Sequence, residues 1–262
     1  MRKLVGAGVA LTLALALVGI GAPAKADLPD ILNKGVIRIG TLLDNVPFGQ
    51  VGSDGKPTGF DIELGEMIGK AMGVKVQLEP IVSANRIPFL LTNKIDIVVG
   101  CMAPTPERAV QVMFSSPYSY QFNAVWGSKG TAVKAAQDMA GLKIAVAKGT
   151  TQDLTISAMK PTPNVLRFEN DGAAVAAFLS GQTDLFATIS TQAYGIAKLN
   201  PDKNIELKFK IAPAPCSIAM RQGDFQLLRM LDTMIMHFKL NGELERLHQQ
   251  YIGAPMGDLP VI

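Results

Sequence analysis

Short apolar runs alternate with amphipathic ones along most of the chain. The stretches VIRIGTL (36–42), VKVQLE (74–79) and IDIVVG (95–100) are brief and rich in Val and Ile, and they predict β-strands. Between the first two, DIELGEMIGKAMG puts Leu64, Met67, Ile68, Ala71 and Met72 on one helical face, with acids in the first turns and Gly73 as a stop. TPER (105–108) reads as an N-cap threonine with proline at the first helical position. The pattern then restarts. LKIAVAKG (142–149) predicts a strand and Thr151 begins a helix. VLRF (165–168), a helix over 173–179, DLFAT (184–188) and a helix over 194–199 follow. After CSIAM (216–220), helices over about 225–238 and 242–250 fill the C-terminus. Two βα series in one chain predict two α/β lobes with mostly parallel sheets. Crossings near 119–125 and 211–215 would insert the second lobe within the first.

The first 26 residues stand apart from this pattern. Arg2 and Lys3 precede an apolar run from Leu4 to Ile20, and residues 24–26 (AKA) form an Ala-x-Ala site. A signal peptide cleaved after Ala26, and hence a secreted, periplasmic protein, is expected. The run is short for a membrane span and contains several glycines, and no later segment is apolar for long enough to cross a bilayer. Removing the leader changes the charge argument. Three of the 25 basic residues lie in it and no acid does, which leaves 22 bases against 22 acids. A formally neutral chain has no basic stripe, so nucleic-acid binding is excluded as an expectation. In an oxidising compartment Cys101 and Cys216 are expected to form a disulfide, the alternative being two buried thiols packed as small hydrophobes.

GFDIELGEMIGKAM (59–72) matches the signature of family-3 periplasmic solute-binding proteins, the amino-acid receptors of ABC importers. The resemblance continues through GTLLDNVPFG (40–49), NRIPFLLTNKIDIVVG (85–100), TPERAVQVMFSSPY (105–118), LKIAVAKGTTQDL (142–154) and GQTDLF (181–186). It implies an α/β, two-lobed periplasmic-binding-protein fold (type II), with two mostly parallel sheets joined by two hinge strands. The lobes would be residues 27–122 plus 214–262, and residues 123–213. The ligand would be captured by closure of the cleft between them, and the partner would be an inner-membrane ABC permease. A monomer without cofactor or metal is expected.

The resemblance also assigns residues. Arg108 takes the place that grips a ligand α-carboxylate, where a planar, permanently charged fork suits two parallel hydrogen bonds. SANRIP (83–88) resembles the glutamate- and aspartate-binding branch, so Arg86 and Ser83 would meet a second acidic group. In GTT (149–151), Thr150 and Thr151 open a helix whose N-terminus attracts an anion. Phe60 is either an apolar wall of the site or core; Met102 and Ala103 should line its floor, with Ser190 reaching in from the second lobe.

The chain departs from the family at three places. An Asp or Glu that pairs with a ligand ammonium is replaced by Ile189, with Asp153 as one nearby substitute. A hydroxyl residue is replaced by Ala103, and an aromatic by Asn45. The expected solute is therefore a small carboxylate: an amino acid, acidic ones included, or a related organic acid. A cyclohexadienyl-dehydratase-like enzyme is the rival class. It is disfavoured because no acid in the cleft motifs is assignable as a proton donor, and His237 and His248 fall on C-terminal helices as surface or packing residues. A ligand sensor for a separate receptor is the third reading.

Overall fold

The computed structural model describes residues 28–161 and 163–260; the expected leader and its cleavage site lie outside them. The chain opens with α1 (Leu28–Lys34), β1 (Val36–Thr41), three short strands β2 (Asp44–Asn45), β3 (Gly49–Val51) and β4 (Pro57–Thr58), then α2 (Phe60–Met72). β5 (Lys75–Pro80), α3 (Arg86–Leu91), β6 (Ile97–Met102), α4 (Pro106–Ala109) and β7 (Val112–Phe114) complete the first half. β8 (Ser119–Ser128) leads to β9 (Lys143–Ala147), α5 (Thr151–Ala158), β10 (Asn164–Phe168), α6 (Asp171–Leu179), β11 (Leu185–Ile189) and α7 (Ser190–Leu199). β12 (Ile205–Arg221) returns to the first half, where α8 (Phe225–Leu240) and α9 (Glu243–Leu247) follow.

Two parallel groups form, as the alternation predicts. β1 pairs in parallel with β5 and β6, and β9 pairs in parallel with β10 and β11. The crossing strands β8 and β12 are themselves paired, antiparallel from Ile205 opposite Ser128 to Cys216 opposite Ser119. Hydrogen bonding therefore runs through one nine-stranded sheet in the order β10-β9-β11-β8-β12-β6-β1-β5, with β7 beside the end of β12. β12 extends beyond the crossing expected near 211–215, starting at Ile205, and it continues through Pro213 and Pro215.

Both faces of the sheet are covered, which explains the unbroken apolar runs. Ala124 and Trp126 face a cluster with Phe178 and Phe186, whereas Val125 between them faces one with Ile144 and Ile156. In the first half, α2 buries Phe60, Leu64, Ile68 and Met72 at helical spacing. It stops at Gly73, whose left-handed φ of 69° only glycine adopts without strain.

Where β6 meets β12 the fold is cross-linked. Cys101 and Cys216 form a disulfide, 115 residues apart in sequence, and Cys101 takes a positive φ of 37°. The backbone N–H of Cys101 donates to the hydroxyl of Tyr118 at 2.8 Å, and that hydroxyl donates to Asp61 Oδ1 at 2.7 Å. Burial pushes the Asp61 carboxyl up to about 7, against the lowering effect of the Tyr118 hydrogen bond.

Two consequences can be measured. A C101S/C216S variant should lose about 2–5 kcal/mol in urea unfolding, because the cross-link restricts a long loop in the unfolded chain. Between pH 4 and pH 7, folded Asp61 keeps a proton that the unfolded chain has released, so its contribution to stability falls as pH rises. Asp61→Asn should therefore gain stability relative to wild type as pH rises from 5 to 8; a constant difference would contradict the assignment.

Candidate ligand-binding site

Between the two halves of the sheet lies a small cavity. Leu42, Asn45, Ser83, Arg86, Cys101, Ala103 and Arg108 line it from the first half. Asn123, Thr150, Thr151, Gln152, Asp171 and Ile189 line it from the side of the second, with Ala214 of β12.

Its centre is two buried guanidiniums. Arg86 opens α3; its Nε donates to Ser83 O at 3.1 Å and its Nη1 to Gly100 O at 3.3 Å. Arg108 lies in the single turn of α4, which Thr105 caps by accepting the Arg108 backbone N–H at 3.3 Å. Its Nη1 donates to Ala103 O at 2.7 Å. Its Nη2 reaches across to Gly149 O in the second half at 3.1 Å. Among the described residues, neither guanidinium forms an ion pair with a carboxylate. Burial and the adjacent charge of Arg86 pull Arg108 down to about 9, so it stays charged at neutral pH. Burial lowers Arg86 as well, while Asp171, Tyr118 and Asp61 oppose that shift. A buried charge without a partner is costly, and two side by side make a site prepared for an anion.

The halves touch across this cavity. Besides the Arg108 contact, Gly172 N donates to Asp44 Oδ2 at 3.2 Å and Gln192 Nε2 donates to Asp44 O at 3.3 Å. Gly149, at φ 76°, packs so tightly that a Cβ there would sit 2.8 Å from Ala84 Cα. Only glycine allows the β9–α5 turn to approach this closely.

Of the residues expected from sequence, Ser83, Arg86, Ala103, Arg108, Thr150 and Thr151 come together on the cavity wall. Three do not. Phe60 is fully buried in the core, stacked near Tyr118 and edge-on to His248. Met102 packs with Leu42, Ile81 and Leu90 behind the floor, because strand alternation turns it away from the side that Cys101 faces. The Ser190 hydroxyl donates to Gln121 Oε1 at 3.0 Å and lines a neighbouring recess.

Thr150 contributes differently from expectation. Its hydroxyl proton goes to Ala147 O at 2.7 Å and its oxygen caps Asp153 N at 3.2 Å. What α5 offers the cavity is then its first-turn amides rather than that hydroxyl. Asp153 is engaged with Arg167 at 2.7 Å and is absent from the cavity wall.

Asp171 is the residue that sequence reasoning missed. It begins α6, where Asn170 Oδ1 caps the helix by accepting Ala173 N at 2.8 Å. Burial and the neighbouring Asp44 raise its carboxyl to about 7, against the pull of Arg86. The ND pair at 170–171 is a readable N-cap, but nothing in the sequence aims it at the cleft.

Comparison with known proteins agrees with this fold. A glutamine-binding protein, GlnH, of an ABC transporter of Bacillus subtilis (strain 168) is 31% identical over 234 residues, covering 87% of this chain and 85% of its own. The L-cystine-binding protein TcyJ of Escherichia coli (strain K12) is 26% identical over 92% of this chain and 93% of its own. The crystal structure of an ancestral amino acid-binding protein, a precursor of cyclohexadienyl dehydratase, superposes with a TM-score of 0.80 at 32% identity, covering 86% of this chain and 99% of that one. The named relatives are binding proteins, and the fold is that of type II periplasmic binding proteins. Residues 37–254 match the model of the bacterial extracellular solute-binding proteins, family 3, and the chain belongs to that family.

Proposed function

We propose that this chain is the receptor of an ABC importer, and that it delivers a small carboxylate-bearing solute, an α-amino acid, to an inner-membrane permease. The observation that carries the reading is the pair of buried, unpaired guanidiniums facing one cavity between the halves of the sheet. The amino-acid names of the relatives support the solute class. The protein would work as a periplasmic monomer after cleavage behind Ala26.

Arg108, together with the first-turn amides of α5, holds the carboxylate. Arg86 and Ser83 receive a second anionic group. Residues 27–122 with 214–262, and residues 123–213, move as the two bodies about β8 and β12. Arg108 meets the solute from the first body, and the Gly149 turn closes onto it from the second. A ligand that touches both bodies binds the closed form better than the open one, and that difference drives closure. A bound solute that left either guanidinium unpaired would be rejected, which gives selectivity as well as affinity.

Calorimetric titration of the refolded protein with L-glutamate, L-glutamine and glutarate tests these roles. Arg108→Ala should weaken every probe at least ~30-fold, the scale of removing one member of a buried charge pair. Arg86→Ala should weaken the two probes with a second carboxylate more than L-glutamine. Equal losses across the three would remove Arg86 from its role, and wild-type binding by Arg108→Ala would overturn the reading.

A further inference from the structure

We infer that Asp171 is the cation grip of the site: the carboxylate that receives the ammonium group of an α-amino acid from the N-terminus of α6. This deepens the proposed function and rests on it. The end of β11, where a carboxylate would be expected, presents Ile189 to the cavity, and an isoleucine side chain accepts no hydrogen bond. Asp171 lines the same cavity from the same half of the sheet, and it is the only carboxylate on its wall among the described residues. It is 7% exposed, and among the described residues no other side chain donates a hydrogen bond to it or pairs with it as an ion.

The surroundings fix it in place. Asn170 caps the helix immediately before it, and the next residue, Gly172, donates its N–H to Asp44 Oδ2 on the opposite half. Closure thus seats the start of α6 against the loop after β1. Asp44 itself is occupied twice from the second half, through Oδ2 and through its carbonyl, and it does not line the cavity. Asp153 is held by Arg167 and Asp61 by Tyr118. Of the nearby acids, Asp171 is the one on the cavity wall, where its own backbone N–H hydrogen-bonds to its carboxyl.

Charge balance points the same way. The cavity wall carries Arg86 and Arg108 against Asp171, one positive charge in excess. An α-amino acid with its carboxylate on Arg108 and its ammonium on Asp171 leaves Arg86 unmatched. A second anionic group, or an oxygen-rich polar end, completes the set at Arg86 and Ser83. An organic acid lacking the ammonium would leave Asp171 buried with no counter-charge beyond Arg86, and the site should bind it more weakly.

The test pairs each amino acid with its ammonium-free twin: L-glutamate with glutarate, L-glutamine with glutaramate, and L-cystine with 3,3′-dithiodipropionate. Wild-type protein, refolded to remove bound solute, should bind its tightest amino acid at least ~10-fold better than the twin. Asp171→Asn should weaken that amino acid at least ~10-fold and change the twin less than ~3-fold, so the ratio collapses. Asp171→Glu, which keeps the charge, should retain part of the preference, and the wild-type ratio stands even if a variant fails to fold. If Asp171→Asn weakens both members of a pair equally, or neither, the inference is overturned. It is equally overturned if wild type prefers the twins, while the carboxylate reading then survives. If no probe binds wild type, the proposed function fails and the inference falls with it.

Discussion

Two guanidinium groups buried side by side, with no carboxylate among the described residues paired to either, are the constraint around which this molecule is arranged. Each has lost its hydration, and the two repel one another, which is why burial and the neighbouring charge together lower Arg108. Carbonyl oxygens hold them instead: Ser83 and Gly100 for Arg86, Ala103 and Gly149 for Arg108. Carbonyl dipoles orient a guanidinium without cancelling its charge. The site is therefore fixed in geometry and left positive, the condition in which an arriving anion gains most.

The fold supplies those carbonyls by placing strand ends and tight turns at one spot. Gly100 belongs to β6, Ala103 follows it, and the disulfide binds the next residue, Cys101, to β12. Because β12 is also a crossing strand, the floor of the cavity and the hinge are covalently one piece. The fourth carbonyl comes from the far side, on the Gly149 turn, whose close approach to Ala84 leaves no space for a side chain. One hydrogen bond to Arg108 thus comes from the opposite half of the sheet.

Much of this was legible in the sequence because strands and helices advertise themselves by period. α2 and its glycine stop, the capped turn of α4, and the run of β9 into α5 were each predicted to within a residue or two. The errors have local causes. α7 begins at Ser190, four positions before its expected start, since Thr191 and Gln192 are polar and break the helical apolar stripe. β12 was expected only as a crossing near 211–215, and its first residues, 205–210 (IELKFK), were not read as strand. Phe60 and Met102 illustrate a different limit. Their motifs fix which element they occupy, but the face they present depends on packing among Tyr118, His248 and Leu90, residues distant in the chain.

Asp61 and Asp171 bring the remaining logic into view. Both are fully enclosed, both are raised to about 7 chiefly by burial, and both feel the attraction of Arg86. A perturbed carboxyl alone therefore does not distinguish a structural acid from a functional one. What separates them is the use of their lone pairs. Asp61 accepts the Tyr118 hydroxyl, which in turn accepts the amide of Cys101, so its capacity is committed to the wall behind the disulfide. Asp171 lines the cavity from the opposite half of the sheet, and among the described residues no other side chain donates to it. A single charge, Arg86, thus acts on both an acid committed to the wall behind the disulfide and one on the cavity wall itself.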